Sequence, residues 1–285
     1  MEGRTDLTDQ STFTADEVAM FYDQLEEFFS AVLGESIHYG YWPDGIDSPS
    51  LTDAQDRLTA LLGEKLALGP EHRLLDVGCG TGRPATLLAE ALGCDITGIT
   101  IAERQIEAAD QRAAAAGVAD RVRFQLADAM GMPFADDEFD AVLALESLLH
   151  MPDKKRALAE EHRVLRPGGL LVIADFFETK PLPPGTVPDA AVDVLPNHVP
   201  PPLDEMTGLV REAGFEVTEV LDITEQTRRS GEAILAAIGS YRPAVDSVQG
   251  KRIAEQVQQA IPLIVEHAQE HTGYVVLTAR KAVSA

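Results

Sequence analysis

The sequence predicts a doubly wound α/β domain built on a mostly parallel sheet, with an N-terminal helical cap and a C-terminal lid or insert. Three observations predict it. Five short apolar runs alternate with helical segments between residues 73 and 175. The runs are apolar throughout rather than alternating with polar residues, as expected of strands covered on both faces. The first run ends in a tight glycine turn, Gly78-Cys79-Gly80-Thr81-Gly82, followed by Arg83-Pro84, where proline suits the first turn of a helix.

In chain order, Thr14-Ala15-Asp16-Glu17 fits a capping box, with Thr14 as N-cap and Glu17 three residues on. Phe21, Leu25, Phe28, Phe29, Val32 and Leu33 then recur at helical spacing. They lead into an aromatic loop, Ile37-His38-Tyr39-Gly40-Tyr41-Trp42, and a further helix over 51–66. Residues 1–66 are expected to form the cap and 67–285 the α/β core. Strands are expected at 73–77, 95–100, 122–126, 141–145 and 170–175, and helices at 82–92, 102–116 and 153–165. Gly117 and Arg166-Pro167-Gly168-Gly169 are turn signals that close helices. From Glu178 to Pro202 the pattern gives way to a proline-rich stretch, and a long loop in a compact domain is often a lid. Lid or insert segments are expected at about 178–205 and 226–270, with a helix near 203–213, a strand near 215–223, helical segments over 230–267 and a last strand near 274–279.

Composition excludes several function classes. The 285 residues carry 23 Lys and Arg against 47 Asp and Glu, a formal net charge of −24. Such a surface repels nucleic-acid phosphates and anionic lipid heads, so neither nucleic acid nor a stable membrane partner is expected. The first ten residues lack a basic stretch and an apolar core, so no signal peptide is read there. The longest apolar run, 168–177, is too short to span a bilayer. Two cysteines, Cys79 and Cys94, make neither a disulfide framework nor a metal cluster. A reducing cytoplasm is the default compartment, no metal is expected, and a homodimer is left open.

In an open parallel sheet the ligand sits outside the carboxyl ends of the strands. The glycine turn and the helix after it favour an anionic group, and Asp76 stands two positions before the first glycine. The second strand ends at Thr100-Ile101, with Gln105 one turn into the next helix; the third is followed by Asp128-Ala129-Met130. The fourth is followed by Glu146-Ser147-Leu148-Leu149-His150, and the fifth ends at Asp175. A dinucleotide site would use G-x-G-x-x-G and an acidic residue where Thr100 stands. Asp128 has two readings, an acceptor for an exocyclic adenine amine or a turn cap.

Taken together these residues resemble class I S-adenosylmethionine-dependent small-molecule methyltransferases, particularly the natural-product group that includes the rebeccamycin sugar O-methyltransferase. The mycolic-acid cyclopropane synthases are more distantly similar. Phe21-Tyr22-Asp23, Ser36 through Trp42, Leu74 through Gly82, Gly98 through Ile101, Ala127 through Phe134, Ala144 through Asp153 and Arg163 through Gly169 carry the match. It runs from about residue 18 to Phe176 and then thins. The resemblance implies a Rossmann-like methyltransferase sheet and S-adenosylmethionine as cofactor. It places Tyr22 and the aromatic loop, with Tyr39, over the methionine end, and Gly78 and Gly80 at the amino-acid portion, with Asp76 also among the cofactor-binding residues. It sets Thr100 and Gln105 at the ribose, Asp128 and Ala129 at the adenine, and Leu145 near the methionine end.

The implied reaction is displacement at a sulfonium methyl, in which the protein excludes water, aligns a small hydroxylated acceptor and takes its proton. Histidine is the side chain whose ordinary pKa lies nearest neutrality, which favours His150 as base; Asp175 could orient it or act itself. The natural-product relatives often read His-His where this chain has Leu149-His150. The base therefore stays open between His150 and Asp175, with Glu146 and His38 as substitutes. O-methylation leads; C- or N-methylation or lipid modification, an NAD(P) oxidoreductase, and a non-catalytic S-adenosylmethionine-binding module are the alternatives.

Overall fold

The computed structural model describes residues 14–20, 22–23, 34, 36–43, 50–181, 200–240, 255, 259, 262–263, 265–266 and 268–283. Its centre is a seven-stranded sheet: β1 (Arg73–Val77), β2 (Asp95–Thr100), β3 (Val122–Leu126), β4 (Phe139–Leu145), β5 (Leu165–Glu178), β6 (Phe215–Asp222) and β7 (Thr272–Lys281). The strand order is β3-β2-β1-β4-β5-β7-β6. The first five strands are parallel, and β7 runs antiparallel between β5 and β6. Order reverses between β1 and β4, and the crevice above that switch point is where such a sheet takes its ligand.

The longer helices with defined bounds among the described residues are α1 (Leu51–Leu66), α2 (Arg83–Leu92), α3 (Glu103–Ala116), α4 (Lys154–Val164), α5 (Leu203–Glu212) and α6 (Arg229–Ser240). Their ends follow local chemistry. Ser50 and Asp53 form a capping box that starts α1, while Gly93 and Gly117 close α2 and α3 in the left-handed conformation that glycine takes without a Cβ penalty. Thr14 and Glu17 form the expected box at the N-terminal helical residues 15–20. Of the expected apolar stripe, Phe21, Leu25, Phe28, Phe29, Val32 and Leu33 lie outside the described residues, as do 182–199 of the proline-rich stretch and most of 241–267.

The apolar strands pack helices on both faces. Leu58, Leu62 and Leu66 of α1 join Leu74, Leu88 and Leu143 in one buried cluster, so this helix, grouped with the cap by sequence, shares the core of the sheet. The other face buries Leu75, Phe139, Leu158 and Leu171. One expectation is corrected. Arg166-Pro167-Gly168-Gly169 is not a separate turn but the first part of β5, which therefore begins at Leu165 rather than 170. Pro167 forces the residue before it out of helical geometry, and a register shift between Phe139 and Ala141 absorbs the irregularity.

Candidate active site

The turn after β1 is folded back by its own amides. Gly78 and Cys79 both donate to the Ile99 carbonyl of β2 at 2.9 Å, and Gly82 donates to Cys79 O. Gly78 has φ +78°, and a Cβ there would collide with Ser147 Cβ across the switch point. Gly82 has φ +77°, and its missing side chain lets α2 lie against Ala109 and Phe124 at 2.7 Å from the Cβ position. The first glycine thus serves the approach of β4, and the third serves helix packing.

A cavity of about 1110 Å³, including its open mouth, lies over this turn. Ten of the twelve residues singled out by sequence line it: Tyr22, Asp76, Gly78, Gly80, Thr100, Gln105, Asp128, Ala129, Leu145 and His150. Thr100 and Gln105 act as a unit, the hydroxyl donating to Gln105 Oε1 at 2.6 Å and accepting from Ala102 N–H. The Gln105 amide nitrogen is thereby turned into the donor of the pair. Asp128 fulfils its cap reading with one oxygen, accepting from Met130 N–H at 2.8 Å; the other reading needs its second oxygen.

Two expected residues stand elsewhere. Asp175 is fully buried, and its carboxylate accepts the backbone N–H groups of Leu149 and Phe176 at 2.9 and 2.8 Å. It faces the chain that carries His150 rather than the cavity. The Tyr39 ring packs edge-on against Phe176 with centroids 4.8 Å apart and stacks on Tyr274, where these rings line a smaller cavity of about 310 Å³. Aromatic packing has drawn it away, and its neighbour His38 lines the large cavity instead. By sequence His38 is only a substitute base, and Ser36 and Ser147 have no assigned role; both serines also line the cavity.

His150 is held from both sides. Its Nε2 lies 3.0 Å from the Tyr22 hydroxyl, with the two rings edge-on. The short turn Leu148–His150 is clamped by Asp175 at Leu149 N–H and by Lys154, whose ammonium donates to Leu149 O and Met151 O at 3.1 Å.

The electrostatics follow from burial. Asp76 is pushed up to about 7 by desolvation, and its Oδ2 has no hydrogen-bond partner among the described residues. Glu146 is pushed up to about 8, again by burial, although Tyr39 N–H and Tyr274 O–H both donate to its Oε1. It also takes the left-handed conformation, φ +47°, a strained geometry that places its side chain between the two cavities. Asp175 rises to about 6, burial outweighing its two amide donors and Lys154. A cation bound among these carboxyls would favour their ionised forms. A ligand carrying an ammonium and a sulfonium fits an orphaned carboxyl at the turn, and a Thr–Gln pair suits a diol further along.

Among the described residues no group of three or more His, Cys, Asp or Glu side chains is arranged to hold a metal ion. No helix there is long and apolar enough to cross a membrane.

Fold and site together define a Rossmann-like enzyme acting at the switch point of its sheet. A methyltransferase-domain family model matches residues 75–173. The chain is 39% identical over 272 residues to the methyltransferase GfsG of Streptomyces halstedii, covering 93% of this chain and 94% of that protein. It is 40% identical over 279 residues to the 27-O-demethylrifamycin SV methyltransferase of Amycolatopsis mediterranei (strain S699), covering 94% and 98%. Among solved structures it is similar to the [4+2]-cyclase SpnF, with a TM-score of 0.83, 32% identity, and 96% and 98% of the two chains covered. The chain belongs to the S-adenosylmethionine-dependent methyltransferases. Its cofactor is S-adenosylmethionine.

Proposed function

We propose that the protein methylates a hydroxyl oxygen of a small natural product, with His150 as the proton acceptor. The observation that carries this reading is the 3.0 Å contact between Tyr22 and His150 at the wall of the cofactor cavity. The names of two relatives, a 27-O-demethylrifamycin SV methyltransferase and an O-methyltransferase of Penicillium expansum, support the choice of acceptor atom.

When bound, S-adenosylmethionine supplies an electrophilic methyl on a sulfonium, which leaves as a neutral thioether. This chain contributes alignment, exclusion of water and one proton transfer. Asp76, Gly78 and Gly80 hold the amino-acid portion, Thr100 and Gln105 the ribose hydroxyls, and Asp128 with Ala129 the adenine; Leu145 lies near the methionine end. As the acceptor oxygen takes the methyl, its proton passes to Tyr22 and the Tyr22 proton to Nε2 of His150. Asp175 is a positioning residue that sets the Leu148–His150 turn. The segment up to residue 66 acts as the cap, a reading supported by Ala15, Val18 and Tyr22 lining the cavity; of the expected lid segments, 182–199 and most of 241–267 lie outside the described residues.

A second reading, cyclisation in the same cavity, is favoured by the similarity to a [4+2]-cyclase. Incubation with S-adenosylmethionine labelled in the methyl group and a panel of hydroxylated and O-blocked polyketides separates the two. Label appearing in an ether of the hydroxylated compounds supports O-methylation. An isomerised, unlabelled product would overturn it in favour of cyclisation.

A further inference from the structure

Four buried polar atoms around the glycine turn take no hydrogen bond among the described residues: Ser36 Oγ, His38 Nε2, Asp76 Oδ2 and Ser147 Oγ. All four residues line the large cavity. Buried polar atoms are seldom left so in folded proteins, and four in one place call for polar groups brought by a ligand.

We propose that Nε2 of His38 accepts a hydrogen bond from the α-ammonium group of the bound cofactor, which makes His38 the side chain that recognises the amine. The inference rests on the S-adenosylmethionine site described above. His38 Nδ1 lies 2.7 Å from the Tyr39 carbonyl oxygen. A carbonyl only accepts, so Nδ1 carries the proton and Nε2 a bare lone pair. Burial holds the ring well below the ordinary histidine range, at about 4, so it is uncharged at neutral pH. The methionine end of the cofactor offers one group that only donates, the ammonium, and one that only accepts, the carboxylate. A bare imidazole nitrogen can pair with the first alone.

The ring is placed before any ligand arrives. Gln55 donates its amide to the carbonyls of Ser36 and His38 at 3.0 and 2.8 Å. Tyr39 N–H is fixed on Glu146, and Gly40 N–H on Ser230. The loop is thereby pressed onto the turn, with Ile37 Cδ1 3.9 Å from the Cβ position of Gly80. A preorganised acceptor loses little entropy on binding.

The test is calorimetric titration of the full chain with S-adenosylhomocysteine and with its analogue bearing hydrogen in place of the α-amine. The wild type should bind the amine form about ten- to a hundredfold more tightly. His38→Phe should lose about tenfold for S-adenosylhomocysteine while the analogue stays within about twofold; His38→Gln, which keeps an acceptor at similar reach, should recover part of the loss. Equal losses for both ligands, or none, would overturn the proposal. Independently of any variant, ¹⁵N-histidine NMR of the wild type should show one unprotonated Nε2 resonance that moves on adding S-adenosylhomocysteine and stays with the analogue. A resonance that moves equally with both overturns it too. Failure of the wild type to bind S-adenosylhomocysteine at all would count against the cofactor site itself, a separate outcome.

Discussion

Asp175, fully buried at the end of β5, accepts the backbone N–H of Leu149 at 2.9 Å, while Lys154 holds the carbonyl of the same residue. Both backbone groups of Leu149 are therefore fixed by charged side chains, and the adjacent His150 ring inherits that placement. Asp175→Asn turns one acceptor into a donor facing an N–H. We expect kcat to fall about 10- to 100-fold, with the dissociation constant of S-adenosylhomocysteine changing less than about threefold. Steady-state kinetics beside calorimetry checks the split; a loss of cofactor affinity as large as the loss of kcat would contradict a positioning role.

The contact between Tyr22 and His150 makes a second prediction. If the phenol relays the acceptor proton, Tyr22→Phe and His150→Ala should each lower turnover by about 10²-fold or more, and the double variant should be no worse than His150→Ala. Additive losses would mean that the two side chains act separately.

Glu161 gives a prediction about stability. It lies wholly buried on α4, with neither carboxylate oxygen hydrogen-bonded among the described residues. Burial pushes its pKa from the ordinary 4.5 to about 8. The unfolded chain loses this proton from about pH 4.5 upward, while the folded chain keeps it to about pH 8. Its contribution is thus complete below pH 4.5 and declines as pH rises through that window. Asp76 and Glu146, raised by burial in the same way, act with the same sign. Glu161→Gln should raise Tm by roughly 2–6 °C at pH 8 and match the wild type near pH 4.5. Melting curves across that range check it, and a flat difference would show that Glu161 keeps its ordinary pKa.

Gly78 offers a structural test. A methyl group there meets Ser147 Cβ in a backbone conformation with φ +78°. Gly78→Ala should cost about 1–3 kcal/mol and weaken S-adenosylhomocysteine binding more than about tenfold. Adding Ser147→Gly should restore part of the binding while the backbone strain remains. If the double variant binds no better than Gly78→Ala, the collision is not the cause.

Much of this was legible in the sequence. Continuous apolar runs reported strands buried on both faces, and the expected helix over 51–66 matches α1, whose first turn Ser50 caps. Polar residues at strand ends reported the ligand crevice, since topology alone brings the ends of β1, β2, β3 and β4 together. What stayed hidden was orientation. In the aromatic loop burial alternates, with Ser36, His38, Gly40 and Trp42 inside, and no pattern of composition tells which parity faces a cofactor. Asp175 likewise sits at the expected strand end, but only the fold shows that backbone amides claim its carboxylate. The start of β5 was misread because Pro167-Gly168-Gly169 punctuates most chains as a turn, while here the neighbouring strand tolerates the irregularity through its shifted register.

The loop over the glycine turn is tied to Gln55, to Glu146 and to Ser230, a partner 190 residues away in the chain. The Gln55 ties span fewer than twenty residues, whereas the Ser230 tie closes a loop of 190 and carries the larger entropic cost. The loop is therefore fully tied only when both ends of the chain are in place. Until Ser230 has been synthesised and docked, a nascent chain lacks the Gly40 tie. S-adenosylmethionine, by binding only the finished form, would draw that population forward. Its cellular supply would then govern how much of this enzyme exists in working order, as well as how fast it turns over.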